Sequence, residues 1–270
     1  MEKNKFDVSV ILPVNTSMTK DFEDLFSKSV KSVENQIIGI TELIVVHSTE
    51  EKLKSFLQSY DFNGINVKLV ENNGSFDFAS QVNLGVNESN GEWVSILEFD
   101  DEYSSIWFKS VDRYVKSYGN EVDAYLPLVI DIDDKGVFAG FTNEATFAVS
   151  MNSEMGILSN DLLMTYQNFQ SSGMVIRKNT FNENGGFKPS IKLTFVYEFL
   201  LRLTYNSAKI MTIPRIGYKH MNMREGSIFW NYKYGQPSLT ENEIKFWLES
   251  AKKEHFFTSD REIKYVSETV

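Results

Sequence analysis

Four short β-branched runs, Val8 to Val14, Glu42 to His47, Asn66 to Val70 and Trp93 to Glu98, alternate with three stretches whose apolar residues recur every three or four positions. These stretches, at about Lys20 to Gln36, Glu50 to Tyr60 and Phe76 to Asn87, read as amphipathic helices. The alternation leaves few folds open. Parallel strands need a long crossover, which a helix supplies, so the pattern predicts an α/β fold with helices on both faces of a mostly parallel sheet.

The fourth run ends abruptly in acid, as Ile96-Leu97-Glu98-Phe99-Asp100-Asp101. In open α/β sheets ligands sit beyond the carboxyl ends of the strands, so these carboxylates point to where a ligand would bind. Hard divalent cations such as Mn2+ and Mg2+ take carboxylate oxygens and keep waters or phosphate oxygens as their other ligands. Acids after a strand also cap helices or stay solvated, and the trio alone does not choose between these uses.

Past Asp101 the pattern predicts a helix at about Ile106 to Tyr118, a strand at Ala124 to Ile130 and a hairpin turn within Asp131 to Gly136. From Phe138 to Gln170 the periodicity is weak and aromatic, as in loops over a cleft. Gly185 and Gly186 then precede an apolar helix, Thr194 to Tyr205, and two strands, Lys209 to Ile213 and Gly217 to Met221. A last helix over Leu239 to Phe256 opens with a capping box, Thr240 and Glu243, and carries Ile244, Trp247, Leu248 and Ala251 on one face. The expected organisation is one domain over 1–256, with a nucleotide-binding half at 7–102, an acceptor-side half at 103–238, a packing helix at 239–256 and a tail at 257–270.

Charge and composition narrow the function. With 27 Lys and Arg against 37 Asp and Glu, the formal net charge of -10 argues against binding nucleic acid by broad phosphate neutralisation. The absence of cysteine excludes a disulfide framework, a thiolate zinc site and a cysteine nucleophile. No run approaches the roughly 20 apolar residues that cross a bilayer, and Val8 to Val14 lacks the flanks of a secretory signal. The expectation is a soluble, cytoplasmic protein.

Ordered blocks then carry a resemblance. Val8-Ser9-Val10-Ile11-Leu12-Pro13-Val14-Asn15, Ser32-Val33-Glu34-Asn35-Gln36 and Glu42-Leu43-Ile44-Val45-Val46 are followed by Asn73-Gly74, Asn83-Leu84-Gly85, Gly91-Glu92-Trp93-Val94 and the acidic trio. Together they resemble family 2 of the glycosyltransferases, which have the GT-A fold, a Rossmann-like mixed sheet flanked by helices. The likeness continues through Gly173-Met174-Val175-Ile176-Arg177, Gly185-Gly186-Phe187, Leu201-Arg202-Leu203, Ile213-Pro214 and Tyr218-Lys219-His220.

The resemblance implies transfer of a sugar from a nucleoside diphosphate donor, a UDP-sugar, to a hydroxyl acceptor such as a glycan. Pro13, Val14 and Asn15 would lie beside the base and ribose, with Asn83 and Gly85 where a helix nears the nucleotide. Glu98 and Asp100 take the two ends of the family's D-x-D motif, with Asp100 as the main metal or phosphate-side ligand beside Glu98. Asp101, their neighbour, is a catalytic candidate, and His220 matches a late histidine close to metal and diphosphate that would join them as a metal ligand. Lys219 and Arg224 would screen phosphate charge. Phe229-Trp230-Asn231-Tyr232-Lys233-Tyr234-Gly235 reads as a lid with faces suited to stacking on a sugar, or as a surface loop packed on the last helix.

The chain departs from the family pattern twice. Paired acids usually follow the second strand, and here the residues are Val46-His47-Ser48-Thr49, leaving His47 to meet the base. Inverting members place a Glu-Asp pair about two turns before the arginine that corresponds to Arg202, and its Asp accepts the acceptor's proton. Phe195 and Val196 stand there instead. Glu198 is the only carboxylate in that helix, turned by about 200° from Val196. Candidate bases are therefore Glu198, Asp161 and Glu154, and the alternative is a binding module without transfer activity.

Overall fold

The computed structural model describes residues 4–14, 21–144, 156–222 and 224–266. Strand β1 (Val8–Val14) is buried at every position, as expected of a central strand covered on both faces. It pairs in parallel with β2 (Glu42–His47) on one side and β4 (Trp93–Ile96) on the other, and β2 pairs in parallel with β3 (Val67–Glu71). Beyond β4 the direction reverses. Strand β8 (Val175–Arg177) runs antiparallel to β4, β6 (Ala124–Ile132) antiparallel to β8, and β9 (Ile210–Met221) parallel to β6. The edge strand is β5 (Glu102–Tyr103), and β7 (Phe138–Thr142) folds back on β6 as a hairpin. The sheet is thus mixed, with its longest registers parallel.

Helices α1 (Phe22–Glu34), α2 (Glu51–Ser59) and α4 (Trp107–Tyr118) cover one face, burying Phe22, Phe26, Leu53, Trp107 and Phe108 against the sheet. Helix α3 (Phe78–Asn87) covers the other, with α5 (Asn160–Thr165), α6 (Lys178–Glu183), α7 (Phe195–Tyr205) and α9 (Glu241–Glu254). Burying each such large side chain stabilises the fold by roughly 1.5–3 kcal/mol. Gly85 sets how close α3 comes. A Cβ there would stand 2.4 Å from Ile11 Cγ2 and 3.0 Å from Val46 Cγ2.

Several boundaries differ from expectation for local physical reasons. The two late strands are one, β9, with a register shift opposite Pro127 and Leu128 where Pro214, lacking an N–H, interrupts the ladder. Strand β6 runs on to Ile132, so Asp131 belongs to the strand. The turn starts at Asp133, whose Oδ1 accepts from the backbone N–H groups of Lys135 and Val137. The expected loop region contains β7 and α5. The capping box of α9 forms as predicted, but Ile244 on its apolar stripe is exposed. Residues 257–263 are no loose tail: Lys188 Nζ donates to Phe257 O at 2.6 Å, and Ile263 packs against the core beneath α7 and α9. Among the described residues no helix is long and apolar enough to cross a membrane.

Candidate active site

The strand ends bring the acids together. Strand β4 gives way to Glu98–Asp101, and β5 then pairs with β9 in a register that sets Glu102 against Lys219, which places Asp101 beside His220. Parallel pairing of β6 and β9 puts Asp131 level with His220. A cleft of about 650 Å³ opens there, lined by Pro13, Glu98, Asp100, Asp131, Ser172, His220 and Arg224. Aromatic and apolar side chains complete the lining, with Phe78, Phe141, Phe169, Phe195, Val196 and Tyr197.

Each carboxylate has a distinct setting. Asp101 is sealed from solvent, with Oδ1 accepting from Met221 N at 2.8 Å and Oδ2 beside His220 Nδ1 at 2.9 Å. Asp100 Oδ2 accepts from Arg224 Nε at 2.6 Å, and that guanidinium also lies over the Phe99 ring. Glu98 Oε1 accepts from Ser172 Oγ at 3.3 Å, while its backbone N–H donates to Tyr218 Oη and its carbonyl accepts from Ser29 Oγ. Those backbone bonds fix the turn at the end of β4.

Crowding of like charge away from water shows in the protonation. Burial, with Asp101 adding to it, pushes Glu98 up to about 8. Asp100 is also raised, by burial and then by Asp101, with Arg224 opposing. For His220 burial acts downward, but Asp101, Glu98 and Asp131 outweigh it and lift the imidazole to about 10. Burial raises Asp131 as well, against the hydroxyl of Thr142, which donates to its Oδ2 at 2.8 Å.

Ligand atoms of Glu98, Asp101 and His220 all lie within 4.8 Å of one another, two oxygens and an imidazole nitrogen, a donor set suited to a divalent cation. Of the expected metal residues, Glu98 and His220 enter this group and Asp101 takes the place expected of Asp100, which pairs with Arg224.

Other expected residues lie elsewhere. Pro13 borders the cleft, Val14 is wholly buried at the end of β1, and Asn15 and Glu154 fall outside the described residues. His47 is buried with Nδ1 2.9 Å from Ser48 O. Asn83 clasps the chain after the double glycine, accepting from Phe187 N at 2.9 Å and donating to Phe187 O at 2.7 Å, so its amide is spent on packing, as Gly85 is. Lys219 pairs with Glu102 on the sheet edge. Asp161 is exposed in the first turn of α5. The expected lid begins a short helix, α8 (Ile228–Tyr234), with Gly226 and Ser227 on the cleft wall.

Glu198 stands corrected as a candidate base. It is completely buried, accepts from Arg202 Nε at 2.9 Å and Arg202 Nη2 at 2.8 Å, and pairs with Lys188 Nζ at 2.8 Å. It faces the interior because α7 turns Val196 toward the cleft, and two residues on is the opposite face. Sequence reasoning missed Asp131, Thr142 and Ser172. The signal for Asp131 was present in the β-branched run Val129-Ile130-Asp131-Ile132, which continues past the boundary drawn at Ile130.

The family model for glycosyl transferase family 2 matches residues 9–168, more than half of the chain. The chain belongs to glycosyl transferase family 2. Among solved structures, residues 1–349 of TarS from S. aureus share 17% identity with a TM-score of 0.59, covering 93% of this chain and 72% of that one. The same TarS fragment in complex with UDP-GlcNAc gives a TM-score of 0.60 at 17% identity, covering 93% of this chain and 73% of that one. Its complex with UDP gives 0.59 at 17% identity, covering 93% and 72%. This likeness fixes the fold as GT-A. No curated relative matches the sequence.

Proposed function

We propose that this family 2 chain transfers a sugar from a nucleoside diphosphate donor, a UDP-sugar, to a hydroxyl acceptor. The observation that carries the reading is the convergence of Glu98, Asp101 and His220 at the ends of β4 and β9, with Glu98 and His220 on the wall of a cleft large enough for a sugar nucleotide. A divalent cation held by these three residues would neutralise charge on the departing diphosphate. Asp100 holds Arg224 in the same cleft, where the guanidinium can turn to phosphate oxygens. Pro13 would border the base and ribose, with Val14 backing it. The aromatic lining of the cleft, Phe141, Phe169 and Tyr197, suits stacking on the rings of an acceptor such as a glycan.

One observation favours a second reading, a module that binds a sugar nucleotide without transfer: Phe195 and Val196 occupy the place where a carboxylate was expected. Calorimetric titration of UDP, GDP, CDP, TDP and UDP-GlcNAc, with and without Mn2+, tests the donor site in the wild type, Asp100→Ala and Asp101→Asn. Metal-dependent binding of UDP and UDP-GlcNAc that both variants lose is the expected result. A chain that binds none of these nucleotides defeats the transferase reading and the binding module together.

A further inference from the structure

A hydroxyl that attacks a sugar must lose its proton, and the apolar pair Phe195 and Val196 cannot take it. We propose that Asp131 is the general base of this chain, supplied from β6 in place of the carboxylate missing from α7. The assignment rests on the transferase reading above. As the acceptor oxygen forms its bond to the anomeric carbon, the bond from that carbon to the donor's phosphate oxygen breaks. The electron pair leaves with the nucleoside diphosphate, and the acceptor's proton passes to the Asp131 carboxylate.

Elimination among the cleft acids leads to this residue. Asp101 has both oxygens engaged, by Met221 and His220, and Asp100 is held by Arg224. Glu98 belongs to the cation cluster. Asp131 is the remaining carboxylate on the cleft wall among the described residues, and no lysine or arginine bonds to it. Its position suits the task. It sits level with His220 across the β6–β9 pair, beside the expected diphosphate, and its hairpin partner strand brings Phe141 and Thr142 to the same wall. The acid therefore stands on the strand between β9, which carries His220, and β7, which carries Phe141. The Thr142 hydroxyl, 2.8 Å from Oδ2, orients the carboxylate in the way a third group orients a catalytic base.

The test uses the whole chain with UDP-GlcNAc and Mn2+, and with water, glycerol and azide as acceptors. Asp131→Asn and Asp131→Ala are expected to bind UDP as the wild type does while release of UDP to water or glycerol falls about 100-fold or more. Azide, which has no proton to lose, is expected to restore donor consumption by Asp131→Ala and to give the glycosyl azide. Thr142→Val should show an intermediate loss in kcat with KM for the donor unchanged. Asp131→Asn turning over like the wild type overturns the assignment. So does loss of UDP affinity in step with turnover, which marks a donor-site residue, and so does a rescue that azide fails to give. A wild type that binds UDP-GlcNAc but transfers to none of the three acceptors overturns the base assignment and leaves the binding module standing. Failure to bind any nucleotide defeats the transferase reading and the binding module together, whereas the Asp131 outcomes above bear on the base alone.

Discussion

Two clusters of charge lie on opposite sides of α7, and they are built on contrary rules. Behind the helix, Glu198 is completely buried, yet Arg202 and Lys188 neutralise it. Their remaining hydrogens go to backbone carbonyls, Arg202 Nη2 to Gly186 O at 2.8 Å and Lys188 Nζ to Glu254 O at 2.7 Å. At the cleft, among the described residues, Glu98, Asp100 and Asp131 on the wall and Asp101 buried behind it face only Arg224 and His220 as counter-charges. The first cluster is closed and satisfied, while the second holds an excess of acid, and burial together with Asp101 raises Glu98 to about 8. A fold has no structural use for uncompensated carboxylates, and this imbalance is what supports the cation site proposed above.

Breaking the closed cluster should produce the largest effect. Glu198→Gln leaves Lys188 and Arg202 buried without a counter-charge, which costs about 3–5 kcal/mol by the usual behaviour of broken buried pairs. Urea unfolding measures it. A loss under about 1 kcal/mol would mean water or another acid reaches the two cations, and the contrast between the clusters would weaken. Next in size is Gly85→Ala, where the new methyl meets Ile11 and Val46 and must push α3 off the sheet. Overpacking of this kind costs about 1–3 kcal/mol. Because Gly85 lies in the scaffold, UDP affinity of the folded variant should match the wild type. A selective loss of affinity would return Gly85 to the donor site.

The cleft should respond in the opposite way. Glu98 is largely protonated at neutral pH, so Glu98→Gln replaces one neutral group by another of the same shape. Stability should stay within about 0.5 kcal/mol of the wild type, while Mn2+-dependent UDP binding is lost. A variant as unstable as Glu198→Gln would show that Glu98, too, is part of the scaffold.

The sequence made the parallel half legible because each strand and helix there is set by local periodicity. Boundaries fell within two residues for α1 to α4, and the acids at the end of β4 were visible as a break in an apolar run. The second half was harder to read. Strand β8 is three residues long, and β9 carries Pro214 in its middle, so neither shows the alternation that reveals a strand. The site residues divided along the same line. Glu98, Asp100 and Asp101 are contiguous, whereas His220 and Asp131 reach them through a register between distant strands that periodicity does not encode. Glu198 shows the converse failure, since a carboxylate in an amphipathic helix looks the same in sequence whether it faces a cleft or a buried arginine.

The smallest effect concerns the rim of the closed cluster. Glu254 is held below the ordinary glutamate value by its hydrogen bonds from Arg261, at 2.8 and 2.6 Å, with burial opposing and Lys188 assisting. Its folded value is depressed, so the pair contributes stability above the unfolded value of 4.5, and that contribution is lost as pH falls through the folded value. Arg261 is half exposed and solvent screens the pair, so the effect is modest. Wild type and Arg261→Ala should therefore differ in urea midpoint near neutrality and converge in acid. A constant difference across the acid range would mean that Arg261 acts by covering Phe257, over whose ring its guanidinium lies at 3.7 Å, and that the closed cluster ends at Lys188.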